Sequence, residues 1–408
     1  MDVVWRYVAA RYRREKNLKI DSVIDIKRKN VKSIIDYVRF HEGWQKRDVA
    51  REMDLSFATV SNIINQMLEC GLLKQTEINL KSVGRAPKGY QLVADRFVLC
   101  TMDIHTPDEV VLTLVDLQRR PVAQRICTTL DTSNIGGFID GLRQEYLTLL
   151  QEAGYAEERV IGSAAVIPGT YDTKSQMVVG TRNRLFRDQP LLEMLDGVMQ
   201  HPVFLENDAN LAAFSKASEQ QLHYLIYLYC GNGLGMGAVS NGSILTGANG
   251  FSVEISHAPF GNLGRKCRFC GHDDCLQEDV SPLGFVSKYE GGVIEEEDFD
   301  YEMWETFLAA VEKGEKRAID AALDNAKVLG RALSTASSIL RPEKIMFGGL
   351  PRSLFEMMRP TMEEEINSRE RHNAFIKVRF DPDFRLTTAI GGAECIFRDW
   401  FPDLDAYS

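Results

Sequence analysis

From Arg96 onward the chain alternates short apolar runs with longer amphipathic ones, and this alternation limits the fold more than any other feature. The stretch "RFVLCTMDIHTPDEVVLTLVDLQRRPVAQRIC" predicts three strands over 97–104, 109–116 and 121–127, and a helix follows over 134–154. "VIGSAAVIP" reads as another strand, ending in the turn Pro168-Gly169. "PVFLE" is a strand whose end runs straight into the helix of "NDANLAAFSKA". "HYLIYLYCGNGLGMGAVSNGSILTG" gives a strand, a Gly-rich turn and a second strand, and "ALDNAKVLGRALSTASSILRPEKIMFGGL" a long helix, a strand and a glycine pair. Strands alternating with helices in this way predict an α/β fold with ligands at the strand ends.

The first ninety residues have a different texture. Val31, Ile34, Ile35 and Val38 mark one face of a helix that Gly43 ends, and "QKRDVAREM" makes a second with Val49, Ala50 and Met53 inward. After the short turn "DLS", "FATVSNIINQMLECG" buries Val60, Ile63, Ile64, Met67 and Leu68, and its other face offers Thr59, Ser61, Asn62, Asn65 and Gln66. Three short helices with a tight turn before the third form a helix-turn-helix. Hydroxyl and amide side chains on such a helix reach base edges and phosphates in a major groove. "LLKQTEINLKSVGRAPKGYQLV" then reads as a hairpin whose tip carries Lys81, Arg85 and Lys88, a wing able to lay an arginine into a minor groove. The bland alternative is a helical packing module with a polar face. Residues 1–26 read as basic and helical, with no role assigned.

Charge supports the nucleic-acid reading. Residues 1–90 hold 18 Lys+Arg against 11 Asp+Glu, and the rest 30 against 47, so a basic module precedes an acidic body within a net charge of −10. No apolar run approaches the roughly 18 residues of a membrane span. The first thirty residues contain no secretory apolar core, so a cytoplasmic location is expected. Such a compartment disfavours disulfides. Cys70, Cys100, Cys127, Cys230 and Cys395 sit among apolar neighbours and read as small buried hydrophobes. Cys267, Cys270 and Cys275 crowd together ten residues after His257, and three thiols with one imidazole suit tetrahedral Zn²⁺. His272, inside the loop, is the rival fourth ligand, and the alternative without metal is three reduced cysteines in a loop. Four protein ligands leave no open position for a catalytic water, so the expected ion is structural, one per chain.

Taken in order, the helix-turn-helix, "GRAP", "VIPG", "ENDAN", "GNGLGMG", Glu254-x-x-His257, the cysteine cluster and "FGG" resemble the ROK family, which groups sugar kinases with sugar-responsive repressors. The resemblance covers nearly the whole chain and implies two actin/hexokinase-like (ribonuclease H-like) lobes with a sugar cleft between them. The implied organisation is a winged helix-turn-helix within 1–93, a small α/β lobe over 94–201 plus 387–408, and a large α/β lobe with a zinc knuckle over 202–386. It implies His257, Cys267, Cys270 and Cys275 as metal ligands. It also implies Gly169, Asn183, Asn207, Asp208, Glu254, His257 and Gln277 at the sugar, Asp208 standing where kinase members hold their general base. The chain departs from the family pattern in four places. The knuckle opens C-x-x-C where C-x-C is usual, and Asp274 replaces a glycine. Gln277 stands where a glutamate is expected, so the effector's hydroxyl pattern can differ from that of glucose. The D-x-G-G-T phosphate hairpin of the kinases reads Asp103-Ile104-His105-Thr106-Pro107, which lacks the glycines that open amides to phosphate.

These readings converge on a DNA-binding transcriptional regulator, most simply a repressor of sugar-metabolism genes, with a degenerate ATP site and no enzymatic turnover. The expected partners are an inverted-repeat operator in double-stranded DNA, a sugar or sugar-derivative effector, and further copies of the chain as a homodimer or homotetramer. Sugar is expected to close the lobes and so respace paired reading heads. The alternatives are a sugar kinase with an appended DNA module and an interaction scaffold for another protein.

Overall fold

The structure, a computed structural model, describes residues 23–77, 88–167, 169–181, 183–231, 233–251, 253–267, 269–368, 375–400 and 404. The expectations for residues 1–22, for the wing tip with Lys81 and Arg85, for Pro168 and for the side chain of Lys88 lie outside the described residues. The chain divides into two compact units, one made of 1–165, 190–205 and 392–408, the other of 166–189 and 206–391.

The first unit begins with helices α1 (Val23–Val38), α2 (Lys46–Glu52) and α3 (Phe57–Glu69), followed by a hairpin of β1 (Leu73–Glu77) and β2 (Lys88–Leu92). Ser56 caps α3 by accepting the Thr59 amide at 3.1 Å, and Asp54 makes the preceding turn with a φ of 52°. Val31, Ile34, Ile35, Val38, Val49, Val60, Ile63, Ile64 and Met67 are buried, as their spacing predicts. Trp44 pairs with Tyr90, ring centroids 5.2 Å apart, and ties the loop after α1 to the hairpin.

Next come β3 (Val98–Asp103), β4 (Val110–Asp116) and β5 (Pro121–Cys127), an antiparallel meander within a residue or so of the expected bounds, then α4 (Ile135–Ala153) and β6 (Val160–Ile167). The short hairpin of β7 (Thr170–Asp172) and β8 (Met177–Val179) belongs to the second unit. Helix α5 (Leu191–Val198) and β9 (Val203–Asn207) complete a sheet ordered β5-β4-β3-β6-β9. The helical module is not a separate bead on this unit. Its core continues through Phe97, Leu99, Val115 and Leu117 of the sheet and Ala393, Phe397 and Trp400 near the carboxyl end. The expected boundary at 93/94 therefore falls inside a continuous core.

The second unit holds α6 (Asp208–Gln220), β10 (Leu225–Cys230), β11 (Leu234–Ser240) and β12 (Ser243–Ile244). It continues with α7 (Leu276–Val280), α8 (Pro282–Glu290), α9 (Tyr301–Glu312), α10 (Lys316–Leu340), β13 (Lys344–Gly348), α11 (Arg352–Asn367) and β14 (Val378–Phe380). Helix α12 (Phe384–Asp399) starts in this unit and ends in the first. The sheet order is β12-β11-β10-β13-β14, with β13 parallel to both neighbours. Helix α6 lies directly on β11, since a Cβ at Gly237 would sit 2.1 Å from the Ala209 carbonyl oxygen. Segment 166–189 packs with this unit, where the family resemblance had grouped it with 94–201. Cys70, Cys100, Cys127, Cys230 and Cys395 are all buried, as expected. No described helix is long and apolar enough to cross a membrane.

Candidate functional site

Two short pairings build the thiol cluster. Pro259 bridges Cys275 antiparallel, the Leu276 amide donates to the Ala258 carbonyl at 3.1 Å, and the Gly261 amide donates to Asp274 at 2.8 Å. This lays the strand after His257 against the one ending in Cys275. The knuckle closes on itself through the Cys267 amide to the His272 carbonyl at 2.6 Å and the Gly271 amide to the Cys267 carbonyl at 2.8 Å. The result brings one donor atom each from His257, Cys267, Cys270 and Cys275 within 4.8 Å of one another. The set of mutually close donors takes its imidazole from His257, while the His272 side chain hydrogen-bonds Cys270 alone of the three thiols. Cys267 Sγ lies 3.5 Å from His257 Nδ1, and Cys270 Sγ lies 3.2 Å from Cys275 Sγ. Donors around a tetrahedral zinc stand roughly 3.5–3.8 Å apart, from bonds of about 2.0–2.3 Å; the His257–Cys267 spacing matches this, the Cys270–Cys275 spacing is shorter, and three thiols with one imidazole are a donor set suited to such an ion.

The thiols differ in environment. Cys267 and Cys275 are buried and Cys270 is exposed. The His272 amide, with help from the Cys275 thiol, draws the Cys270 thiol down to about 6, while burial pushes Cys275 up. Gln277 donates its amide to Cys267 Sγ at 3.1 Å and sits 3.3 Å from Glu278 Oε1. The residue expected at the sugar thus spends its donor on the thiol cluster. Behind it, Arg265 Nε and Glu278 Oε2 form a buried pair 3.5 Å apart. Asp279 accepts from the Asn262 amide at 3.0 Å and pairs with Lys288 at 2.7 Å. Sequence reasoning passed over Arg265, Glu278 and Asp279; their adjacency to the cysteines was the signal.

Asn207 and Asp208 stand at the junction of β9 and α6. Asn207 caps the helix through the Ala209 amide at 3.0 Å and donates to the Gly169 carbonyl at 3.2 Å. Asp208 is buried, and its Oδ1 accepts the same Ala209 amide at 2.7 Å. Glu206, to which the sequence reading gave no role of its own, accepts from the Asn207 amide and from Asn210 Nδ2, each at 3.0 Å. Gly169 has a φ of 94°, and a Cβ there would meet the Val179 carbonyl at 2.5 Å, so only glycine lets this turn lie against 179–181. Asn183 follows on that segment. Its amide donates to Thr181 Oγ1 at 3.1 Å and its Oδ1 accepts from the Leu185 amide at 3.0 Å. Gly169, Asn183, Asn207 and Asp208 therefore form one connected polar locale. The turn at Ala248–Gly250 packs on β7 of the same hairpin, and Glu254 follows it, exposed, with no bond to another described side chain, three residues before the tethered His257.

On α3, Asn62 and Asn65 are exposed, while Thr59, Ser61 and Gln66 are half-buried. Lys46 of α2 donates to Ser61 Oγ at 3.0 Å and to Asn65 Oδ1 at 2.7 Å, a clamp that helical periodicity does not reveal. Thr59 Oγ1 lies 2.8 Å from Ser56 Oγ. Arg85 lies outside the described residues. In the segment replacing the phosphate hairpin, Asp103 Oδ1 accepts the His105 amide at 3.1 Å, and His105 and Thr106 are exposed.

Among curated relatives, the xylose repressor of Caldicellulosiruptor bescii is 23% identical over 348 residues, covering 82% of this chain and 86% of its own. The glucokinase of Halalkalibacterium halodurans is 27% identical over 302 residues, covering 70% of this chain and 87% of its own. Among solved structures, a ROK-family transcriptional regulator homologous to the E. coli MLC protein superposes with a TM-score of 0.76 at 20% identity, over 92% of this chain and 97% of that one. The ROK family pattern matches residues 109–391, more than half of the sequence. On that match, the chain belongs to the ROK family.

Proposed function

We propose that the protein is a sugar-responsive DNA-binding transcriptional regulator, most simply a repressor, without kinase turnover. The observation that carries this is the helix-turn-helix whose core is continuous with the first sheet, on a chain that a repressor relative matches over 82% and a glucokinase over 70%. Thr59, Ser61, Asn62, Asn65, Gln66 and Arg85 face the operator in this reading, an inverted repeat bound by a homodimer or homotetramer in the cytoplasm. Gly169, Asn183, Asn207, Asp208 and Glu254 take the sugar or sugar derivative, with His257 and Gln277 bracing that side. Asp208 keeps the place of a kinase base. The chain puts Pro107, without an amide hydrogen, and the side chains of His105 and Thr106 where kinases expose glycine amides to phosphate. An effector acts by binding two states of the protein with different affinity.

His257, Cys267, Cys270 and Cys275 hold a structural Zn²⁺ in this reading. The ion supplies four strong bonds that fix the 254–257 peptide, and Gln277 braces the Cys267 sulfur from behind. The test is a thermal-shift screen of sugars, amino sugars and sugar phosphates, followed by operator binding with and without the hit. A rise in melting temperature with one carbohydrate class and a change in DNA affinity supports the reading. ATP-dependent phosphorylation of that sugar above background overturns the non-enzymatic part.

A further inference from the structure

The thiol cluster is divided by access. Cys267 is buried and its sulfur is turned toward His257 Nδ1 at 3.5 Å and Gln277 Nε2 at 3.1 Å. Cys275 is buried too; its sulfur lies 3.2 Å from that of Cys270, and the Cys267 thiol also borders both. Cys270 is the one exposed thiol among the chain's eight cysteines. An oxidant arriving from solvent therefore meets Cys270 first and finds Cys275 already in contact behind it.

We propose that Cys270 and Cys275 form a peroxide-sensitive pair that closes to a disulfide and releases the metal. A hydroperoxide transfers one oxygen atom to the Cys270 thiolate, giving a sulfenic acid and hydroxide (or alkoxide). The Cys275 thiolate then attacks that sulfur, forms the S–S bond and expels a second hydroxide. Two protons from solvent convert both leaving groups to water or alcohol, so the two electrons given up by the thiolates reduce the peroxide bond. Cys267 and His257 remain as two donors, too few to retain a tetrahedral Zn²⁺. The peptide carrying Glu254 then loses its anchor at His257. The zinc-release half rests on the metal reading above; the pairing of thiols does not.

The experiment treats the full-length protein with hydrogen peroxide, follows released zinc with a colorimetric chelator, and maps disulfides by peptide mass after alkylation. One zinc per chain is expected to leave in step with a Cys270–Cys275 disulfide, Cys267 remaining alkylatable, and a dithiol with added zinc restores the starting state. In protein stripped by chelator, Cys270→Ser is expected to slow the loss of the Cys275 thiol to peroxide by about tenfold or more, read by alkylation and peptide mass. A first disulfide that includes Cys267, or unchanged loss of the Cys275 thiol in stripped Cys270→Ser, overturns the proposal. Protein stripped by chelator gives the second arm: peroxide must still pair Cys270 with Cys275, and failure there overturns the proposal whatever the metal content. Protein isolated without zinc that still forms this disulfide refutes the metal reading alone.

Discussion

The Arg39 guanidinium lies 2.5 Å from the Glu394 carboxylate, both side chains buried, and joins the end of the first described helix to the last. Arg119 reaches the other carboxylate oxygen at 3.1 Å. Arg39 also donates to the Leu117 carbonyl and stacks 3.6 Å from the centroid of Phe397. Removing the shared anion leaves the buried Arg39 cation and the half-buried Arg119 cation facing each other. Glu394→Ala is expected to destabilise the first unit by about 3–5 kcal/mol, read as a lower denaturation midpoint by urea titration. A shift below roughly 1 kcal/mol contradicts the role.

His201 supplies a pH test. Its Nε2 lies 2.6 Å from Ser163 Oγ and its Nδ1 3.5 Å from the Tyr146 hydroxyl. Burial pushes the imidazole down to about 4, against a smaller upward pull from Glu157. The unfolded chain therefore takes up the proton first, and stability falls as pH drops from about 6.5 toward 4, by roughly 3 kcal/mol over the window. Glu394 acts at the lower end. Its carboxyl is held below the usual range because Arg39 and Arg119 outweigh the upward push of burial, so its contribution is lost as pH falls below about 4.5. Urea titrations at pH 7, 6, 5 and 4 check this, and His201→Gln is expected to flatten the dependence between pH 7 and 5.

Metal removal tests the cluster. Cys275→Ser, or a strong chelator, is expected to lower bound zinc from one per chain to near zero, measured by elemental mass spectrometry. The melting temperature is expected to fall by several degrees, because binding free energy to a folded site is folding free energy.

The effector locale is tested at two carboxylates. Glu254→Ala is expected to abolish the thermal shift caused by the identified carbohydrate while leaving the melting temperature of the free protein within about a degree, since Glu254 is exposed. Asp208→Asn keeps the geometry at the start of α6 and is expected to weaken effector binding about tenfold or more, by loss of a charge-assisted hydrogen bond. Calorimetric titration distinguishes that from a folding defect.

The recognition helix gives the last test. Asn62→Ala is expected to cost about 1–3 kcal/mol of operator binding and to relax the preference at one base pair. Lys46→Met frees Ser61 and Asn65 from their clamp, and band-shift titrations against single-base operator variants are expected to show altered preference rather than uniform loss.

Much of this was legible in the sequence because it is periodic or closely spaced. The meander of β3 to β5 and the buried faces of α1 to α3 follow from local apolar period, and Cys267, Cys270 and Cys275 from proximity along the chain. What escaped depends on contacts between distant segments. The Lys46 clamp needs the crossing of α2 with α3, and the Arg39–Glu394 pair joins residues 355 positions apart. Gln277 has a side chain equally able to meet a hydroxyl or a thiol, and only the folded knuckle places Cys267 Sγ beside its amide.

The hydrophobic interior shared by Val60, Ile64, Leu99, Val115 and Phe397 also bears on engineering. A reading head cut out at its apparent boundary and grafted onto another sensor would expose the part of its interior that packs on these strands and that helix. A working chimera must carry the meander strands and the carboxyl-terminal helix with it, so new pairings of sensor and operator are reached more readily by changing single residues on α3 than by exchanging modules.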